Sequence, residues 1–256
     1  MKNIIVVTGA ASGMGMEFIK QCKENIDEIW AIDKDEVSIK EKNIVYIQID
    51  LSKQDQIRRY EDKLKKDNPN ILLLANFAGF GIFDHSENIS LDVKLNMIDV
   101  NVKAPLSMID YSLPYMKSGA KIVNVASCAG FQPIPYINDY AATKAFLISY
   151  SRALNQELKY KNIHVMTVTP YWTSTNFFDR AIDDNKKKVV IKYDVMYNSR
   201  EVVKQIIEDL DKNKEISIYG RLNKMQRLLV KIMPHKFVMK IWISKQKLDG
   251  TPDIRN

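Results

Sequence analysis

Asn3-Ile-Ile-Val-Val-Thr8 runs without a break into Gly9-Ala-Ala-Ser12-Gly13-Met14-Gly15, and a helical pattern takes over from about 14 to 25. A short β-branched apolar run with no polar alternation is what a strand covered on both faces looks like. A glycine-rich turn then lets the chain reverse tightly into a helix. Working outward, the same unit recurs. Candidate strands lie at Asn3–Thr8, Glu28–Asp33, Asn43–Ile49, Ile71–Ala75, Lys121–Ala126, Ile163–Val168 and Glu215–Tyr219. Helical patterns fill the gaps at about 14–25, 53–67, 91–117, 139–160 and 199–213. Alternation on this scale implies parallel pairing with right-handed crossovers. The expected architecture is α/β: a Rossmann-type, doubly wound, mostly parallel seven-stranded sheet with helices on both faces. Neither a repeat nor a linker divides the chain, so residues 1–256 read as one domain.

Composition agrees with a folded enzyme-sized body. The 256 residues are 46% apolar and 27% charged, with a net charge of 38 − 31 = +7. That excludes a disordered or low-complexity chain. The two cysteines, Cys22 and Cys128, are too few for a disulfide scaffold; they read as small buried hydrophobes in a reducing compartment. Met1-Lys2-Asn3 leads directly into the first strand, too short for a secretory core, and the longest charge-free stretches, 122–138 and 163–178, carry Pro, Asn, Ser and Thr. A soluble, cytoplasmic protein is expected. The positive charge is local: 216–248 contain no Asp or Glu, and Arg221, Lys224, Arg227, Lys231, Lys236, Lys240, Lys245 and Lys247 supply eight cations, without which +7 becomes −1.

The first turn reads as a dinucleotide site. Glycines let the backbone approach a pyrophosphate, and the helix behind them offers unpaired N–H groups and the positive end of its dipole. The second strand ends in Asp33, 24 residues after Gly9. A carboxylate there accepts hydrogen bonds from both ribose hydroxyls of NAD and repels the 2′-phosphate of NADP, although Lys34 follows it. NAD is therefore the expected cofactor. A glycine cluster alone also describes an ordinary tight turn, and Asp33 alone a solvated turn residue.

Tyr140-Ala-Ala-Thr-Lys144 places a phenol and an ammonium one helical turn apart. A nearby cation favours phenolate and moves the phenol toward the working range of a general acid/base. Ser127 lies thirteen residues upstream at the end of the fifth strand, where its hydroxyl would meet a substrate oxygen; the plainer reading is a capping serine. Asn101 sits in a helical pattern four residues before Pro105, which has no N–H. Its carbonyl loses its usual partner, which implies a kink or an ordered water in its place.

With these residues on one chain, the sequence resembles the short-chain dehydrogenase/reductase family over roughly residues 3–220. The resemblance rests on Thr8–Gly15 for Thr-Gly-x-x-x-Gly-x-Gly, on Asp50-Leu51 after the third strand, and on Asn76-Phe77-Ala78-Gly79 for Asn-Asn-Ala-Gly. It rests further on Asn101, Ser127, Tyr140 and Lys144 for the catalytic tetrad, and on Pro170-Tyr-Trp-Thr173-Ser-Thr175 for Pro-Gly-x-Val-x-Thr. It implies cofactor contacts from Gly9, Ser12, Gly13, Met14, Gly15, Asp33, Asp50, Leu51, Asn76, Ala78, Gly79, Tyr140, Lys144, Pro170, Thr173 and Thr175. It also implies interconversion of a secondary alcohol and a ketone by hydride transfer. In that scheme Tyr140 moves the proton, Ser127 stabilises the substrate oxygen, Lys144 lowers the Tyr140 pKa and binds the nicotinamide ribose, and a water on Asn101 links Lys144 to solvent. Two positions depart from the pattern: Phe77 replaces an Asn, and Tyr171 replaces a glycine, so the backbone there must avoid positive φ. Relatives commonly form dimers or tetramers through the helices near 91–117 and 139–160, which implies a homo-oligomer.

Ala129-Gly130-Phe131, Pro135-Tyr136 and the aromatics Tyr171, Trp172, Phe177 and Phe178 suggest an apolar pocket for a steroid-like, acyl-chain or aromatic small molecule, or else ordinary core. The stretch 171–198 breaks the strand–helix rhythm and reads as a mobile substrate lid. From 221 to 247 apolar and basic residues interleave at helical spacing around Pro234. This basic amphipathic extension either docks on the body or a subunit, or lies on an anionic membrane as a peripheral contact. Nucleic acid is not expected, because the aromatics fall on the apolar side. His85, His164 and His235 lack metal-ligand spacing, so no metal is expected. The rival functions are a non-catalytic dinucleotide-binding or redox-sensing module, and an isomerase or epimerase on the same scaffold.

Overall fold

The structure, a computed structural model, describes residues 1–22, 26–175, 189–190, 192–193 and 195–248. The first strand, β1 (Asn3–Thr8), is followed by α1 (Gly13–Cys22), β2 (Glu28–Asp33), β3 (Ile44–Gln48), α2 (Gln54–Asp67) and β4 (Asn70–Asn76). Then come α3 (Leu91–Ile98), α4 (Ala104–Ser112), β5 (Lys121–Val125), α5 (Asn138–Glu157) and β6 (His164–Val168). The chain continues through α6 (Ser199–Asp211), β7 (Ile216–Ser217), α7 (Arg221–Ile232) and α8 (His235–Gln246). The sheet order is β3-β2-β1-β4-β5-β6-β7, and every pairing in it is parallel.

The apolar runs explain this sheet. Along β1, Ile4 and Val6 pack on one face with Tyr60 and Leu64 of α2, Met108 and Ile109 of α4 and Leu154 of α5. Val7 faces the other way, onto Phe18 and Ile19 of α1 and Val203 and Ile206 of α6. All of these are buried, and each fully buried aliphatic side chain is worth about 1.5–3 kcal/mol. Both faces of the sheet are therefore covered, and a one-residue slip of β1 would exchange the two cores. The strand order reverses between β1 and β4, so a crevice opens there beyond the carboxyl ends of the strands.

Three expectations are refined. The helix expected over 91–117 is interrupted. Pro105 has no N–H to close the usual bond on Asn101, and the chain widens into a π-turn over Asp99–Lys103, with the Ala104 N–H donating to the Asp99 carbonyl. The last strand shortens to Ile216–Ser217 because it is an edge, bonded on one side only, to β6. Residues 171–198 contain a two-residue parallel ladder, Thr173–Ser174 with Tyr197–Asn198. Residues 176–188, 191 and 194 of the expected lid, including Phe177, Phe178 and the charged run 183–188, lie outside the described residues.

Candidate active site

The glycine turn is built for close approach. Gly9 has φ +69°, and a Cβ there would stand 2.8 Å from the Ala78 nitrogen. A Cβ on Gly15 would stand 2.1 Å from the Gly9 carbonyl oxygen. The turn is so tight that only hydrogen fits at position 15, which leaves the first turn of α1 bare beside the loop. Asp33 secures this loop from β2: its Oδ2 accepts from the Ala11 N–H at 2.9 Å and its Oδ1 from the Asp35 N–H at 3.1 Å. Thr175 closes the turn from above, 3.2 Å from where a Gly13 Cβ would be. Pro170–Thr175 and the first turn, some 160 residues apart in sequence, thus meet in space. Tyr171 is not among the residues with positive φ, so the side chain that replaces a glycine sits in unstrained backbone.

The remaining cofactor candidates divide. Met14, Gly79, Pro170, Thr173 and Thr175 line one continuous cleft with Ser127, Tyr140 and Lys144. Asp50 sits next to the β2 end, since the Ile49 N–H donates to the Asp33 carbonyl at 3.0 Å. Its carboxylate accepts from the Ser52 N–H and hydroxyl. Burial alone would raise this carboxyl; the Ser52 bonds and the nearby Lys34 and Lys53 more than offset it and hold it below the usual range. Leu51 is buried in the core. Asn76 donates to Asn124 at 2.8 Å while its Oδ1 is buried without a hydrogen bond, and Asn124 donates to Ser151 at 2.9 Å. This amide chain ties β4, β5 and α5 together beneath the site, and Asn76 is absent from the cleft lining. Phe77 explains its own departure from the polar pattern by packing on Phe18, ring centroids 5.0 Å apart.

The four catalytic candidates converge. Ser127 follows β5, and its hydroxyl accepts from the Ala129 N–H at 3.1 Å, so it is a capping serine as well. The same hydroxyl stands near enough to the Tyr140 phenol to favour its ionised form. Tyr140 is held edge-on by Phe83 at 6.2 Å. Lys144, 3% exposed, donates to the Val125 carbonyl at 2.8 Å. Asn101 is fully buried; it accepts from the Phe80 N–H at 3.0 Å and donates to the Phe80 carbonyl at 2.8 Å and to Thr143 at 3.1 Å. A Cβ on Gly79 would stand 3.0 Å from Asn101 Oδ1 and 3.1 Å from Lys144 Nζ. Gly79 is therefore the floor between them.

The electrostatics differ from the simplest expectation. Burial pushes the Tyr140 phenol up to about 12, and Ser127 is the group that opposes this. Burial pulls the Lys144 ammonium down to about 7. Lys144 does not act as a strong cation on the phenol because it is itself desolvated and its proton points at a main-chain carbonyl. The phenol is thus protonated at neutral pH. A stability consequence follows. The unfolded Lys144 keeps its proton up to about pH 10.5, whereas the folded one releases it near 7. The cost of burying the ammonium is full below pH 7 and fades between 7 and about 10.5. The melting temperature of the native chain relative to a Lys144→Met variant is expected to rise across that window. A flat difference from pH 6.5 to 10 would contradict a desolvated lysine.

The cleft has a volume of about 450 Å³. Beside the catalytic groups its walls include Ile134, Ile137 and Trp172, all apolar. Trp172 serves as both pocket and core, edge-on to Phe83 at 6.0 Å and Tyr193 at 5.0 Å. Ala129 lines the cleft, whereas Phe131 and Tyr136 do not. Sequence reasoning missed the outer wall: Leu222, Met225 and Leu229 of α7 and Val238, Ile241 and Trp242 of α8. The Trp242 indole N–H donates to the Pro135 carbonyl at 3.0 Å and pins α8 over the site. The helical period of 221–247 was visible, but nothing in it said which body it would cover. Both thiols are pushed up to about 12 by burial, so neither is a ready nucleophile.

Comparison with known proteins identifies the family. The profile of short chain dehydrogenases matches residues 3–187, and the chain belongs to that family. A probable short-chain type dehydrogenase/reductase, VdlC, of Helicobacter pylori is 26% identical over 72% of this chain and 69% of its own length. An NAD-dependent glycerol dehydrogenase of Listeria innocua is 28% identical over 73% of this chain and 78% of its own. Among solved structures, a short-chain dehydrogenase from Sphingobium yanoikuyae in complex with NADPH superposes with a TM-score of 0.72, covering 99% of this chain and 97% of that one at 22% identity. The protein is an oxidoreductase of the dehydrogenase/reductase type that uses a nicotinamide dinucleotide and acts on small molecules.

Proposed function

We propose that the chain interconverts a ketone and a secondary alcohol on a hydrophobic small molecule, with NAD preferred to NADP. The observation that carries this reading is the convergence of Ser127, Tyr140 and Lys144 on the lining of one largely apolar cleft. The cradle at Gly9–Gly15 fits a pyrophosphate, and Met14, Gly79, Pro170, Thr173 and Thr175 would hold the remainder of the cofactor, which supplies hydride exchange at its nicotinamide ring. In reduction the substrate oxygen gains charge as its carbon accepts a hydride. Ser127 donates a hydrogen bond to that oxygen. Tyr140, protonated as burial keeps it, gives it the proton and completes the alcohol. Lys144 neighbours the phenolate left behind, and a water on the Asn101 carbonyl would connect Lys144 to solvent. The wall of Ile134, Ile137 and Trp172 excludes water from the reacting atoms and selects apolar substrates.

The test is a panel of steroid-like, long-chain and aromatic ketones followed by loss of NADH absorbance. Turnover of apolar members is expected. NADH binding without turnover across the panel would favour a non-catalytic module; isomerised substrate with no net NADH loss would favour an epimerase.

Cofactor preference rests on Asp33. It holds the Ala11 N–H, and its place at the carboxyl end of β2 supports the reading that it faces the ribose 2′-substituent. Asp33→Asn keeps an acceptor for that N–H and removes the charge. It is expected to raise NADPH affinity about tenfold, since like-charge exclusion is what separates the two cofactors. Tighter binding of NADPH than NADH by the native chain would refute the assignment. A homodimer through α3 and α5 is supported by exposed Leu91, Leu95, Ile98 and Phe146.

A further inference from the structure

The two C-terminal helices carry an exposed apolar surface that extends beyond the part of it lining the cleft. Leu222, Met225, Leu229 and Ile232 recur at i, i+3, i+7 and i+10 on α7 and share a face, with Leu228 beside them. On α8, Phe237 and Ile241 stand one turn apart. All seven are exposed, Ile232 by 76%, Leu228 by 64% and Phe237 by 55%. The helices are nonetheless anchored, for Asn223, Val230, Val238 and Gln246 are buried on the opposite side. Single exposed leucines need no cause, but seven large apolar side chains within two consecutive helices do.

Charge selects what covers them. Arg221, Lys224, Lys231, Lys236, Lys240 and Lys245 are exposed around the patch, and residues 216–248 contain no acid. A second copy of the same face would set these six cations against six, so self-association through it is opposed. An extended anionic surface matches both the apolar centre and the basic border. The patch is also continuous with the cleft: Leu222, Met225, Leu229 and Ile241 are exposed and line it at once. A rigid protein seated here would cap the mouth of the cleft, whereas an acyl phase would extend it. No described helix is long and apolar enough to cross a membrane, so these helices would lie in an interface.

We propose that α7 and α8 seat the protein on an anionic lipid bilayer, with Leu228, Ile232 and Phe237 entering the acyl boundary and the lysines at phosphate level. The seating does not rest on the oxidoreductase reaction and is measured without cofactor or substrate. The experiment is co-sedimentation of the full chain with phosphatidylcholine vesicles, with and without phosphatidylglycerol. Pelleting with the anionic vesicles is expected, at least about tenfold tighter than with the neutral ones. The triple variant Leu228→Glu, Ile232→Glu, Phe237→Glu alters residues outside the cleft lining. It is expected to stay in the supernatant while melting as the native chain does. The variant Lys224→Gln, Lys231→Gln, Lys236→Gln, Lys240→Gln is expected to lose at least about tenfold in affinity for anionic vesicles. In an Ile232→Trp variant, tryptophan emission is expected to shift to the blue when anionic vesicles are added. Three results would overturn the proposal. They are an intact chain that stays in the supernatant with anionic vesicles, equal pelleting of the triple Glu variant, or a concentration-dependent dimer that the Glu substitutions dissolve in a chain that ignores vesicles.

Discussion

Replacing Tyr140 by Phe is expected to lower turnover about 10³-fold, the scale of a lost general acid, while NADH affinity stays unchanged. The substitution removes one oxygen and leaves the ring against Phe83. Ser127 Oγ still accepts from the Ala129 N–H, and its O–H faces the open cleft where water can take it, so the melt should move by about 1 kcal/mol or less. Ser127→Ala is expected to cost less, about 10²-fold, since it removes a donor to the developing oxyanion but not the proton source. NADH binding by fluorescence and steady-state turnover on the same preparations separate the two effects. Full turnover by the Phe variant would remove Tyr140 from the mechanism.

Gly15→Val is expected to abolish dinucleotide binding at accessible concentrations, a loss of at least about 10²-fold. Its first added carbon would fall 2.1 Å from the Gly9 carbonyl oxygen, so the turn must open, and the N–H groups that face the pyrophosphate open with it. Overpacking against backbone also costs about 1–3 kcal/mol of stability. Titration with NADH, alongside Tyr140→Phe as a folded and cofactor-binding control, distinguishes a broken cradle from a broken chain. Native-like affinity in the Val variant would show that the cofactor binds elsewhere.

The sheet was legible because its strands are short apolar runs separated by helical periods, and continuous burial on both faces leaves one parallel solution. The catalytic group was legible for a related reason: Ser127 and Asp33 fall at strand carboxyl ends, which the topology places on one edge of the sheet. Pro105 announced the break in the long helix, though not that the chain would answer with a π-turn. Other features were hidden in partners that spacing does not specify. Asn76 looks like a ligand contact, yet its amide N–H is directed to Asn124, a residue on another strand. The phenol of Tyr140 moves up rather than down because it is itself buried, and Lys144, one turn away, is desolvated as well. The outer wall from α7 and α8 was invisible because an amphipathic period shows that a face is covered and not what covers it.

The central claim is that a hydride passes between a nicotinamide ring and a carbonyl carbon beside Ser127, Tyr140 and Lys144. Turnover of a hydrophobic ketone with NADH deuterated at C4 of the nicotinamide, followed by mass spectrometry of the alcohol, tests it most directly. One deuterium is expected on the carbinol carbon, lost when Tyr140→Phe replaces the native chain. Alcohol formed without that label, or formed equally by the Phe variant, would contradict it.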